Sequence, residues 1–424
     1  MSDKLRSVLE RQKLEKERML SLKTIDRQEN KEAPKYIKND LVKVITGPRR
    51  CGKSVFSFQV LKNQGYTFAY ANFEDEALIE SLGNDYDKFT DELNFVYGKT
   101  DYFVFDEIQN MKKWEMYLNK LQRRDYKVIV TGSNAKLLSG ELATSLTGRH
   151  ISIDLFPFSF QEFLDYKYQD SKPIESQLPY ELEYYLKQGG FPETLRPEID
   201  SYSYLNDLLQ TMILKDVLFR YGHTIKKGQK MESLANYLIN NCCQEISYRR
   251  LIVPLGIKSH NTAEKYMGYL QETILFFTLG KYSFKYSERV SADKKVYVID
   301  NGLLTARNLF NSPNFGVYFE NLIFLGLLRK NYRPNYELFY YKTKDNKEVD
   351  FVLKNPNSQI TQLIQVCYDV SDTNTEKREV SALLKASQEL KCDNLLIITK
   401  SVEKQANIEG KVIKYIPAWK YLLE

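Results

Sequence analysis

Residues Gly47-Pro48-Arg49-Arg50-Cys51-Gly52-Lys53-Ser54 match the phosphate-loop pattern G-x-x-x-x-G-K-[ST] at every fixed position. The apolar, β-branched run Leu41–Thr46 before them fits a buried strand, and the run from Lys53 reads as a helix that stops at Gly65. A strand, a glycine-marked loop and a helix start aim backbone N–H groups and the positive end of the helix dipole at one point, which suits an anion. Gly47 and Gly52 permit the tight path, Pro48, Arg49, Arg50 and Cys51 line the cradle, and Val55 continues into the helix. Lys53 is placed to reach the β- and γ-phosphates of a nucleotide and Ser54 to ligate Mg²⁺, so ATP and Mg²⁺ are the expected cofactors.

Three more strand-like runs follow, "YTFAYANFED", "YFVFDEIQ" and "KVIVTGSNA", separated by helix-length segments. That alternation predicts a parallel sheet flanked by helices. Asp106 ends the third run, where its carboxylate emerges at the carboxyl edge of the sheet, the edge that binds ligands in open α/β sheets. Asp106 is therefore expected to hold Mg²⁺ together with Ser54, and Glu107 to polarise the attacking water. Ser133 and Asn134 end the next run and either sense the γ-phosphate or form a turn.

A chain of 424 residues exceeds one ordinary core and calls for two or three domains. No apolar run approaches the roughly 20 residues of a membrane span, and the charged start "MSDKLRSVLERQKLEKERML" lacks the apolar core of a signal peptide, so a cytoplasmic location is expected. Five scattered cysteines and three scattered histidines exclude a zinc site or a disulfide framework as the organising feature. A net charge of +6 is mild for this length and permits nucleic-acid binding without demanding it.

From Ile151 aromatic and Pro/Gly-marked connectors take over, and a helical stretch begins after Ser201. Residues 246–277 read as helix, turn, helix, with the turn near Gly256-Ile257-Lys258-Ser259, and the alternating segment that follows reads as a hairpin. That is the outline of a winged helix. Its second helix would present Ser259, His260, Asn261, Thr262, Lys265 and Tyr266 to a groove, and its wing Lys281, Lys285, Arg289, Lys294 and Lys295. Basic residues interleaved with aromatics suit phosphate contacts and stacking, so DNA is an expected partner, although such modules also serve as lids.

The order "TGPRRCGKS", "YANFED", "YFVFDEIQ", "VIVTGSNAKLLSGELATSLTGRHISIDLFPFSFQEF" and "GGFPE" resembles the prokaryotic AAA-type ATPases that carry a C-terminal domain of long-unknown function. The resemblance covers nearly the whole chain after about residue 35. It implies an α/β fold class: a P-loop, AAA+-like parallel-sheet domain related to STAND signalling ATPases (36–200), a helical and winged-helix domain (201–312), and a restriction-endonuclease-like α/β domain (313–424), with a charged helical segment in front (1–35). It also implies that Arg149 is an arginine finger or sensor, which with Ser145 at a domain edge points to a homo-oligomer, conceivably a ring.

In the C-terminal part Glu320 on a helix, Asp350 on a strand and Gln365 on the next strand resemble a restriction-endonuclease-like nuclease core, in which two acids hold a divalent metal and a lysine two residues on stabilises charge. Here the lysine position is Cys367, which offers no ammonium, so a degenerate and inactive site is expected. Three functions fit: an ATP-driven motor or remodeller on duplex or branched DNA, a STAND-type switch with a protein partner, or an ATP-gated nuclease.

Overall fold

A computed structural model of the chain describes residues 2–83, 85–133, 148–169, 171–219, 225–257, 259–307 and 314–424. It forms two compact units, Met1–Pro157 with Glu272–Ile274, and Phe158–Gln271 with Leu275–Glu424.

The first unit is built on five parallel strands: β1 (Val42–Thr46), β2 (Phe68–Asn72), β3 (Tyr102–Asp106), β4 (Lys127–Gly132) and β5 (His150–Asp154), in the order β2-β3-β4-β1-β5. β1 and β3 are buried along their whole length, as parallel strands covered on both faces should be. Register aligns Thr46 with Gly132 and with Asp154, and Asn72 with Asp106. Everything that follows β1, β3 and β4 therefore emerges along one edge.

One expectation is corrected here. β5 lies in a segment read as connector. As an edge strand with most of its side chains partly exposed, it lacks the apolar density of its neighbours. The charged segment 1–35 carries an amphipathic helix. Its helix α1 (Ser2–Ser21) places Leu5, Val8 and Leu9 in the same core as Val42, Phe103, Phe105 and Trp114. Spacing of three and four residues puts these on one stripe, and Arg6 reaches Glu92 at 2.9 Å beside it.

The second unit holds two sheets. The smaller has strands β6 (Glu245–Ile246), β7 (Phe276–Gly280) and β8 (Lys294–Val298) in the antiparallel order β6-β8-β7. Helix α2 (Ile225–Asn240) precedes β6, helix α3 (His260–Glu272) precedes β7, and the short helix α4 (Tyr286–Ser291) sits between β7 and β8. The larger sheet runs β13-β14-β12-β11-β10-β9, from β9 (Leu338–Lys342), β10 (Glu348–Lys354), β11 (Ile360–Cys367), β12 (Leu395–Thr399), β13 (Lys404–Ile408) and β14 (Lys411–Pro417). β9, β10 and β11 are antiparallel, whereas β11, β12 and β14 are parallel. Helix α5 (Phe315–Arg329) precedes β9, and helix α6 (Thr373–Leu390) buries Val380, Leu383 and Leu390 in the same core as Leu363 and Ile397.

One buried acid ties this unit together. Asp300 accepts hydrogen bonds from the backbone N–H of Gly190 at 2.7 Å and of Gly302 at 2.8 Å. Gly189 has φ +77°, and a Cβ there would collide with the Asp300 carboxylate, which explains the glycine pair in "GGFPE". Burial pushes the Asp300 carboxyl up to about 6, against the pull of those two N–H groups. Folding thus favours the protonated form. The contribution is fully present below the ordinary carboxylate range and is lost as pH rises through about 6. Asp300→Ala strands two buried N–H groups and should cost about 2–6 kcal/mol, read as a lower urea midpoint; a change under about 0.5 kcal/mol would show that water replaces the carboxylate.

Candidate nucleotide site

The loop Gly47–Gly52 joins β1 to the helix Lys53–Asn63. Gly52 caps that helix at φ +97°, a conformation glycine adopts without strain. A Cβ on Gly47 would meet the carbonyl of Leu155, so the first glycine is needed for close approach of two backbones. Buried Arg27 supports the loop from below, donating to the carbonyls of Cys51 at 2.9 Å and Phe156 at 2.6 Å. Arg49 is paired with Glu74, the first acid after β2.

Lys53 is 6% exposed. Its ammonium donates to the carbonyls of Gly47 at 3.2 Å and Pro48 at 3.1 Å, and lies 3.3 Å from a Glu107 oxygen. Ser54 donates to Asp106 at 2.6 Å. Asp106 is gripped further by Tyr70 Oη at 3.2 Å and by the Thr131 hydroxyl. That same Thr131 oxygen accepts from the Glu107 N–H at 3.1 Å, and the Ser133 N–H donates to the Glu107 carboxylate at 3.3 Å. Gln109 donates to Glu107 as well. β4, which lies between β1 and β3, thus fixes both acids.

The electrostatics separate those acids. Burial pushes Asp106 up, and the neighbouring charge of Glu107 adds to it. Burial pushes Glu107 the same way, but Lys53 and Arg49 outweigh it and hold its carboxyl below the ordinary range. Burial lowers Lys53, and Glu107 with its other neighbours more than restores it. One edge therefore carries an ammonium, an ionised glutamate, and a hydroxyl–carboxylate pair 2.6 Å apart. The oxygens of Ser54 and Asp106 converge as ligands of one hard cation would, so the residues fit Mg²⁺.

Other expected residues lie apart from this edge. Arg149 is exposed and precedes β5, its carbonyl accepting from the Val42 N–H at 3.1 Å. Val42 opens the strand that ends at Thr46, so Arg149 sits about 13 Å along the strand from the loop, at the opposite edge of its own sheet. Asn134, Ser145 and Lys258 lie outside the described residues.

Asn261 and Lys265 are exposed on α3, whereas Tyr266 is buried and presents nothing to a groove. Lys285 is exposed, and Lys281 and Lys294 are half-buried. Lys295 is corrected: it is only 2% exposed and cannot be a DNA contact on a wing. It faces inward, pairing with Glu320 at 2.8 Å and Glu348 at 2.7 Å, and lies 3.7 Å from Asp350. Glu320 and Asp350 both approach that ammonium, and the Gln365 amide oxygen accepts from the Asp350 N–H at 3.4 Å.

Sequence reasoning missed Arg27, Tyr70 and Thr131. The polar residue near the end of β4 was the available signal for Thr131, since it stands two positions before Ser133, already singled out. Arg27 contacts residues 24 and 129 positions away, and nothing local marks it.

A family model described as "AAA domain" matches residues 39–164, and two described as domains of unknown function match 180–314 and 315–421. An uncharacterized protein of Methanocaldococcus jannaschii is 36% identical over 400 residues, covering 90% of this chain and 88% of its own. An uncharacterized protein of Haemophilus influenzae is 30% identical over 394 residues, covering 90% and 94%. Among solved structures, AMPPCP-bound DnaA from Aquifex aeolicus aligns with a TM-score of 0.31 at 14% identity, covering 60% of this chain and 91% of its own. The RuvB Holliday junction branch migration motor of Thermotoga maritima aligns with a TM-score of 0.32 at 15% identity, covering 61% and 93%. Likenesses of that size say nothing of what this chain binds. No described helix is long and apolar enough to cross a membrane. The chain belongs to the family of these two prokaryotic proteins, and the part that carries the phosphate loop is an AAA domain.

Proposed function

We propose that the protein is a Mg²⁺-dependent ATPase that works on DNA as a motor or remodeller. One observation carries the ATPase part: Lys53, Ser54, Asp106, Glu107 and Ser133 meet on a single sheet edge in mutual contact. The loop N–H groups and Lys53 take the β- and γ-phosphates. As the phosphates claim the ammonium, Glu107 is released from its ion pair to accept a proton from water. Tyr70 and Thr131 keep Asp106 oriented, and the Ser133 N–H keeps Glu107 at the edge. Ser54 and Asp106 would hold Mg²⁺, which neutralises phosphate charge. Arg149, remote from its own loop, serves the site of a neighbouring copy, which makes the active form a homo-oligomer and conceivably a ring.

The strand order β6-β8-β7 with α2 before it and α3 within it supports a winged helix. Between β7 and β8, Phe284 and Tyr286 are 71% and 77% exposed and flank exposed Lys285. Two bare aromatics beside a cation suit base stacking with phosphate contact. Arg249 and Arg250 are exposed on the turns before α3. Replacing Lys281, Lys285 and Lys294 together by Ala should reduce the salt slope of DNA binding by up to about 3. An unchanged slope would put the DNA elsewhere.

The mixed sheet β9–β14 with α5 supports a restriction-endonuclease-like domain in the C-terminal part. The deciding experiment is ATP turnover in Mg²⁺ alone and with single-stranded, duplex and four-way-branched DNA. Stimulation by one form supports the motor and names its substrate. Basal turnover indifferent to every DNA would replace it with a switch triggered by a protein partner.

A further inference from the structure

The endonuclease resemblance implies a divalent metal between Glu320 and Asp350, and the residues present do not fit one. Among the described residues no group of three His, Cys, Asp or Glu is placed to hold a metal ion. One oxygen of each acid is already engaged. Glu320 Oε1 accepts from Lys295 Nζ at 2.8 Å and from Tyr297 Oη at 2.7 Å. Asp350 Oδ2 accepts from the Val366 N–H at 2.8 Å. Gln365 turns its amide oxygen to the Asp350 N–H at 3.4 Å and its nitrogen to Glu379. The Cys367 thiol donates to the Asp369 carbonyl.

We infer that Lys295 is a built-in cation: its ammonium occupies the place of the divalent metal and closes this site to metal-dependent cleavage. Nζ lies 2.8 Å from Glu320, 2.7 Å from Glu348 and 3.7 Å from Asp350. Mg²⁺ or Mn²⁺ needs oxygens near 2.1 Å. An ion held by Glu320 and Asp350 would share both carboxylates with that nitrogen and be repelled by its charge, so ammonium and metal compete for one place. The lysine arrives from β8, in the smaller sheet, and not from the β11 position that Cys367 fills. An ammonium so buried persists because it is paired, and removing its charge leaves Glu320 and Asp350 without their shared cation, while Glu348 keeps Lys342 at 3.8 Å. Charge balance across this cluster is thus internal to the chain. It does not depend on whether the amino-terminal site hydrolyses ATP.

The test uses the full-length chain without nucleotide, in a Ser54→Ala background that weakens the other cation site, with Mn²⁺ as probe. Lys295→Met keeps the aliphatic stem and removes the charge. It should acquire about one Mn²⁺ per chain, seen as loss of the free-ion resonance, and its melting temperature should rise with Mn²⁺ while that of the parent stays constant. Adding Asp350→Asn should abolish the gain. A folded Lys295→Met variant that takes up no Mn²⁺ overturns the inference. Where that variant does not fold, the parent decides: anomalous scattering from a Mn²⁺-soaked crystal that places the ion between Glu320 and Asp350 overturns it, and an ammonium still seated there upholds it.

Discussion

Glu107→Gln should lower ATP turnover about 10²–10⁴-fold, the range of a lost general base, while nucleotide binding persists. Glutamine keeps the size, and its one acceptor oxygen can keep the Ser133 N–H, while Lys53, which contacts the other carboxylate oxygen, turns to the phosphates. The charge is what disappears. With Lys53 and Arg49 holding it below the ordinary carboxylate range, Glu107 stays ionised and available to take a proton throughout the neutral region. Asp106 cannot substitute. Its carboxylate is committed to Ser54, Tyr70 and Thr131, and burial drives it toward its protonated form. The check is single-turnover hydrolysis beside equilibrium binding of a fluorescent nucleotide. Turnover at the parent rate would remove Glu107 from the proton transfer. Equal loss of binding and rate would make it a structural partner of Lys53.

The difference between legible and hidden features follows how locally each is encoded. β3 and β4 carry continuous apolar runs and β1 one broken only by Lys43, and the groups at their ends stand next to those runs in the chain, so this edge could be assembled from sequence alone. β5 alternates polar and apolar over only five residues, His150–Asp154, which is too short a run to stand out, and β13 and β14 are partly polar segments, Lys404–Ile408 and Lys411–Pro417, whose pairing is a tertiary matter. Lys295 is the instructive case. Counted with its neighbours it belongs to a basic wing. Counted by twos along β8 it shares a face with Tyr297, which is fully buried and reaches the same Glu320. Lys294 shares its own face with the equally buried Val296 and Val298, so the acids that meet Lys295, distant in sequence, and not the strand period, decided which lysine turned inward.

Arg149→Ala should lower turnover about 10³–10⁵-fold if its guanidinium reaches the γ-phosphate of a neighbouring copy. Its position leaves that geometry open and is too far from the loop of its own copy. The residue precedes β5 at the amino edge of the sheet, while the loop leaves β1 at the carboxyl edge. No rotamer of an exposed side chain spans a strand length of about 13 Å and then turns onto the loop. Loss of activity on its own would not separate a catalytic contact from a weakened assembly, so the decisive measurement mixes two inactive chains. Lys53→Ala copies have no working loop but keep Arg149; Arg149→Ala copies have the loop and lack the cation. In a co-purified equal mixture about one quarter of the head-to-tail contacts join a working loop to a working arginine, and activity should return to that level. If the mixture stays as inactive as its parts while both chains co-assemble, Arg149 acts within its own copy or only holds the assembly. If Arg149→Ala alone turns over ATP normally, the cation that balances the leaving phosphate lies elsewhere, and Arg49, paired with Glu74 beside the loop, is the next side chain to remove.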